Sequence, residues 1–337
     1  MSQPISVQDI MNKNRLYVYL MFVIAFAFQT YAQSGKTTTL SAQIYGYKQD
    51  MVYFDCVQTP LIRQEFYTNP GEEHIYSFET ESLVCMLING KNRVLLQPGD
   101  SLHVELRYEG RNVQMTFSGN DEVVRQNRLY QSIDFIKRDL RYKSQLLGCA
   151  ALDIKPKDRI QDSRVLMQRV QDLFAKPENK LPDAVANYIM AEIESDAYMS
   201  FIEYPVMYAS VRKLPIEQQE IGDYWSIMDG YKPHNDDASL SNPSYIGFLM
   251  RYCFYEKEKD ARKQGATYQI PVRFESMYQE LADFYTDAPR DAVLYNLICN
   301  FIRTGKEIER VDPIIKDYKE KYNKNSQYTQ ILDSLLQ

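Results

Sequence analysis

The feature that most constrains this chain is a change in the period of its apolar residues near Gly119. Upstream they alternate. From Ser101 to Tyr108, Leu102, Val104, Leu106 and Tyr108 interleave with His103, Glu105 and Arg107. A period of two puts one set on one face of a pleated strand, so this stretch reads as a half-buried strand. Leu40, Ala42 and Ile44 open the region in the same way, and Val113, Met115 and Phe117 close it. Asn89-Gly90, between the apolar runs Leu83 to Ile88 and Arg93 to Leu96, supplies the positive φ angles of a tight hairpin. Pro98-Gly99 supplies a second turn. Beyond Gly119 the period lengthens to about 3.6. Asn120 or Asp121 can cap a helix whose face carries Val123, Tyr130, Ile133, Ile136 and Leu140.

The expectation is an α+β protein, a small antiparallel β-sandwich over residues 34–119 followed by an all-helical region over 120–337. Helices are predicted at Lys157 to Ala175, Pro182 to Tyr204, Ile216 to Met228, Pro243 to Lys263, Val272 to Tyr285, Pro289 to Thr304 and Glu307 to Asn323. Asp287 can cap the helix that begins at Pro289, and Gly305 can end it. The polar stretch Lys232 to Asn242 reads as a long loop.

Residues 1–32 have the layout of a secretory signal: basic Lys13 and Arg15, an apolar run from Leu16 to Phe28, then Thr30-Tyr31-Ala32. Met11 is the expected initiator and cleavage is expected near Ala32. The apolar run is shorter than the roughly 18 residues of a spanning helix, so no permanent membrane span is expected after cleavage. Export to the periplasm or cell envelope follows. A net charge of −6 offers no basic surface for phosphates, which excludes nucleic acid as a natural partner. The 27 tyrosines against one tryptophan fit half-buried faces, or else a groove for a glycan or small molecule.

Candidate chemistry is sparse. The five cysteines, Cys56, Cys85, Cys149, Cys253 and Cys299, include no Cys-x-x-Cys. They read mostly as small buried hydrophobes, with a Cys56–Cys85 bridge open because both lie in predicted strands. His74, His103 and His234 show no zinc-ligand spacing, and His103 falls on the polar, solvated side of its strand. His234-Asn235-Asp236-Asp237 offers oxygens to a hard cation but lacks the glycine and distal glutamate of a calcium loop. Glu192, Glu194 and Asp196 can be imagined as an acid–base pair, though such a cluster more often marks a helix's solvent face. No serine elbow or phosphate loop is present. These residues therefore assign no catalytic, metal or cofactor site.

The order of parts carries a resemblance. A signal segment and a β-region lead to Pro98-Gly99-Asp100 before a strand, then Ser118-Gly119-Asn120 entering a helix with Asn127-Arg128-Leu129-Tyr130. A long helical segment follows, with Pro243-Ser244-Tyr245-Ile246-Gly247-Phe248-Leu249 and the closing Tyr318, Tyr322, Tyr328 and Leu332. This resembles the region that precedes the thioredoxin domain in exported TlpA-type thiol-disulfide oxidoreductases of Bacteroidetes. The resemblance implies a redox domain after Gln337, and no cysteine here matches its catalytic pair. The expectation is a non-catalytic envelope module that presents a surface to a protein partner, a substrate or a thioredoxin-like domain. The alternatives are participation in thiol exchange with a separately encoded thioredoxin domain, and glycan or small-molecule binding.

Overall fold

In the computed structural model, residues 35–110, 112–142, 153–305 and 308–336 are described. The expected signal segment and Cys149 lie outside them. No helix among the described residues is long and apolar enough to cross a membrane.

Among the described residues, eight strands form two four-stranded sheets. The first has the order β4 (His74–Thr80), β1 (Lys36–Tyr45), β7 (Ser101–Glu109), β8 (Asn112–Gly119). The second has the order β3 (Glu65–Thr68), β2 (Met51–Cys56), β5 (Val84–Ile88), β6 (Asn92–Leu96). The α+β expectation holds, with one change inside the β-region: β1 and β7 run parallel, Leu40 opposite Leu102 and Ile44 opposite Leu106. The chain crosses between sheets several times before β7 returns beside β1, and sequence periodicity carries no information on that pairing.

Alternation fills the space between the sheets. Leu40, Ala42, Val52, Phe54, Met86, Val94, Val104 and Leu106 are all fully buried there. Full burial of each larger aliphatic side chain is worth about 1.5–3 kcal/mol against exposure. The turns are the expected ones. Asn89 and Gly90 both have positive φ, and a Cβ on Gly90 would lie 2.5 Å from the Tyr53 hydroxyl oxygen. At Pro98-Gly99, Asp100 N–H donates to Gln97 O at 3.0 Å and Gly99 has φ 90°.

The second sheet buries its other face under helices. Cys85 and Leu95 project outward into a core shared with α1 (Asp121–Asp139), α2 (Pro156–Phe174) and α3 (Asp183–Ile202). Asn120 caps α1, its side chain accepting from Val123 N–H at 2.8 Å. Two turns further, Asn127 closes the free edge of β6. Its Oδ1 accepts from Leu95 N–H at 2.8 Å, and its Nδ2 donates to Leu95 O at 2.9 Å. An exposed strand edge invites further pairing, and here a side-chain amide occupies it.

The remaining helices are α4 (Tyr204–Arg212), α5 (Asp237–Leu240), α6 (Pro243–Lys263), α7 (Phe274–Phe284), α8 (Asp287–Arg303), α9 (Val311–Lys321) and α10 (Ser326–Leu335). Three expectations fail, the first being the loop Lys232 to Asn242, which contains α5 because Asp236 caps it. The segment Ile216 to Met228 holds only the short turns Ile216–Gln218 and Tyr224–Ser226, because Glu220 and Gly222 between them have positive φ. Asp287 does not cap α8: Thr286 holds the cap position without a side-chain bond, and Asp287 has φ 53°. Buried tyrosines tie the helices together through their hydroxyls. Tyr224 donates to Ile202 O, Tyr255 to Tyr224 O and Tyr285 to Leu249 O, at 2.6–2.7 Å. Much of the tyrosine-rich composition is thus core, with these three polar tips satisfied by backbone carbonyls.

Candidate functional site

Helix α3 is packed against α2, α4, α5 and α6, so its acidic residues do not form a solvent face. Glu192 and Asp196, four residues apart, share one side, and Glu194 points about 200° away from Glu192. On the first side, the Glu192 carboxylate is 3.1 Å from Arg93 Nη1 and 3.7 Å from Lys137 Nζ. The Tyr130 hydroxyl donates to it at 2.7 Å. Lys137 also donates to Asp196 at 2.9 Å. Strand β6, α1 and α3 thereby meet in one buried ionic cluster. Burial works to raise the Glu192 carboxyl, but Lys137, Arg93 and the Tyr130 hydroxyl outweigh it and hold the carboxyl below its usual range. Asp196 is raised, because burial exceeds the pull of Lys137. Every oxygen engaged here faces a protein partner, which makes the cluster a structural joint.

On the opposite side Glu194 meets His234, whose Nε2 donates to Glu194 Oε2 at 2.6 Å. The His234 backbone N–H donates to the Tyr245 hydroxyl at 2.8 Å, and Tyr231 and Tyr245 hydroxyls lie 2.6 Å apart. The Glu194 hydrogen bond raises the His234 pKa against the opposing effect of burial. Beside this pair opens a cleft of about 400 Å³, lined by Pro233, Asn235, Tyr252, Phe284, Tyr285, Thr286, Asp287 and Pro289. Tyr252 and Tyr285 are buried and fixed by packing, whereas Asn235 and Asp287 are exposed. Such a cleft, with aromatic walls and a few polar groups, falls in the size range of ligand sites.

The run from His234 to Asp237, weighed as a cation loop, serves another purpose. Asp236 caps α5, its carboxylate accepting both from Ser239 N–H at 3.0 Å and from the Ser239 hydroxyl at 2.8 Å. His234 is held by Glu194, so the run does not converge on one point. Among the described residues no group of three or more His, Cys, Asp or Glu is placed to hold a metal ion. His103 is more engaged than its solvated reading implies. Its Nδ1 lies 2.8 Å from Ser41 Oγ and 2.9 Å from Glu73 Oε1. Both partners meet the same ring nitrogen, whereas a proton relay from serine to carboxylate uses opposite ones. His74 Nε2 is 2.9 Å from Asn69 O, which ties down a loop.

The Cys56–Cys85 bridge is not made; both are free thiols. Cys56 pairs with Met86 across β2 and β5, so it shares the inner face with Met86, and Cys85 points outward to the helices. Strand alternation puts the two sulfurs on opposite faces of the sheet. Burial pushes the thiols up, Cys56 and Cys299 to about 11 and Cys85 and Cys253 to about 12.

Sequence reasoning did not find the cluster joining Arg93, Lys137 and Tyr130 to Glu192, nor the pairing of Glu194 with His234, 40 residues away. The available signal was α3 itself, apolar around its whole circumference and yet carrying Glu192, Glu194 and Asp196 beyond its first turn, as a buried helix with partners can do. No protein-family model, curated protein or solved structure matches this chain.

Proposed function

We propose that this chain is a non-catalytic recognition module of the cell envelope, and that the cleft beside His234 is where it engages a ring-bearing ligand. That ligand is a sugar or an aromatic side chain of a partner protein. The observation that carries the reading is the combination of a packed aromatic wall with an exposed polar rim. Tyr252 and Tyr285 cannot rearrange without breaking the core, so the apolar surface is preorganised, while Asn235, Thr286 and Asp287 can select orientation. The thiols support a non-redox role: each described cysteine is protonated at neutral pH, and exchange requires a thiolate. Envelope location rests on the signal-like N-terminal sequence, and the kinship with regions preceding thioredoxin domains rests on the motifs quoted above.

Ligand-dependent melting of the exported protein across a panel of sugars and aromatic peptides tests the proposal. A saturable rise in Tm that is lost in Phe284→Ala and weakened in Asn235→Ala is expected. Flat melting across the whole panel would reject the cleft. Insulin reduction by the purified protein, without an added thioredoxin partner, would reject the non-catalytic assignment.

A further inference from the structure

A second, smaller cavity lies where the β-region meets α6 and α8. It measures about 90 Å³, and its walls include Gln58, Ile246, Gly247, Met250, Asn300 and Arg303. Two features of these walls are unexplained by the packing of the chain itself. The first is Gln58. Its Oε1 accepts from Cys85 N–H at 2.7 Å, which fixes which way the amide faces. The other end of that amide, Nε2, is buried and donates to nothing among the described residues. A buried donor left unused is costly, so native proteins seldom keep one without a purpose.

The second feature is Gly247. It sits inside α6, where glycine is among the poorest helix formers. No positive φ requires it, and a Cβ built there meets no atom within 4 Å. Neither backbone geometry nor close packing accounts for the missing side chain. Gly247 is exposed and lines the crevice together with Gln58, so this wall of the crevice carries no side chain.

The chemistry of the remaining walls indicates the occupant. Asn300 and Arg303 are exposed on the same face of α8, and Arg303 forms no ion pair among the described residues. Asn296, one turn before Asn300, has its amide nitrogen committed to Ala292 O at 2.9 Å. Ile246 and Met250 provide an apolar side suited to a short hydrocarbon stem. A buried amide donor, a second amide and a guanidinium around an apolar wall select an oxygen acceptor with negative charge. The volume admits a carboxylate on a short stem and excludes a sugar ring.

We infer that the crevice between Gln58, Gly247 and Arg303 is a carboxylate-binding subsite, distinct from the cleft beside His234. It deepens the recognition reading and rests on it: the carboxylate arrives as a small free acid, or as the acidic side chain or C-terminus of a partner polypeptide.

The test uses the exported protein with propionate, succinate, a short peptide ending in a free carboxylate, and the same peptide amidated. Calorimetry and melting shifts read binding. Binding of at least one carboxylate is expected, with loss of affinity on amidation if the peptide terminus is the source. Gln58→Glu keeps an acceptor for Cys85 N–H but turns an oxygen toward the ligand, and it weakens binding by about tenfold or more. Arg303→Gln weakens it similarly. Gly247→Leu fills the crevice and abolishes binding, while the free protein melts no lower than the parent. If Gly247→Leu does not fold, the two polar variants decide. No binding of any carboxylate, or binding indifferent to Gln58→Glu and Arg303→Gln, overturns the subsite. Retention of ring-bearing ligands at the His234 cleft in that case leaves the broader recognition role standing; loss of those alone overturns the cleft.

Discussion

Replacing Glu192 with glutamine probes the joint between the β-region and the helices. The substitution keeps the volume and an oxygen for Tyr130, and it removes the negative charge that Arg93 and Lys137 share at 3.1 and 3.7 Å. Removing one partner of a fully buried ion pair costs about 3–5 kcal/mol. Two facts reduce that figure here. Arg93 is 41% exposed, so water recovers part of its solvation, and Lys137 keeps Asp196 at 2.9 Å. The expected loss is therefore about 2–3 kcal/mol, or a fall in Tm of roughly 5–10 °C. Urea denaturation with an unchanged slope, together with a double-mutant cycle through Lys137→Met, measures it. The pH profile adds a check of sign. Glu192 is held below its ordinary 4.5, so its stabilisation is present above that value and is lost as pH falls through the lower, folded value. Asp196 is raised by burial and in part by Glu192 itself, and acts in the opposite sense, so the difference between parent and Glu192→Gln profiles reports the two carboxylates together. A variant within about 0.5 kcal/mol of the parent, or additive behaviour in the cycle, would refute the joint.

Asn127→Ala removes the amide that closes β6 and strands the Leu95 N–H; it is expected to destabilise by about 2–3 kcal/mol in the same denaturation assay. His234 has a pKa raised above 6.5, so the stability it lends is complete below that value and is lost as pH rises through the raised one. His234→Gln should flatten that alkaline limb, and an identical pH profile in the variant would count against the Glu194 pairing. Cys85 and Cys253, with pKa values pushed to about 12, should react with a thiol reagent at neutral pH only when the protein unfolds. Rapid labelling of either in the native state, located by peptide mapping, would contradict their burial.

Local features were legible in the sequence because local physics determines them. Asn89-Gly90, Pro98-Gly99 and the Asn120 cap depend on φ preferences and near-neighbour hydrogen bonds, and all three fold as read. The parallel pairing of β1 with β7 was not legible, since the alternating pattern of Leu40 to Ile44 is satisfied equally by either strand direction. Between Ile216 and Met228 the spacing of Ile216, Ile221, Tyr224 and Trp225 imitates a helix, yet these residues pack on the helical core from turns. Charge was the least legible of all. Glu192, Glu194 and Asp196 resemble a wet helix face only as long as their partners at Arg93, Lys137 and His234 are unknown, and those lie 40 or more residues away in sequence.

The motif that carried the family resemblance has a physical basis of its own. From Ser118 to Tyr130 the chain must leave the first sheet, start a helix and dock that helix on the edge of the second sheet. Asn120 supplies the start, Asn127 provides the two-sided amide that ends β6, and Tyr130 reaches Glu192 on α3. The seven-residue interval from Asn120 to Asn127 is two helical turns, which sets the edge-closing amide on the same side as the cap. Pro98-Gly99-Asp100 belongs to the same device, because the Asp100 carboxylate accepts from Gln97 N–H at 2.7 Å and from Gln126 Nε2 at 3.2 Å. In this chain the motif builds the joint, and the proposed recognition surfaces, the cleft beside His234 and the crevice lined by Gly247, lie outside it.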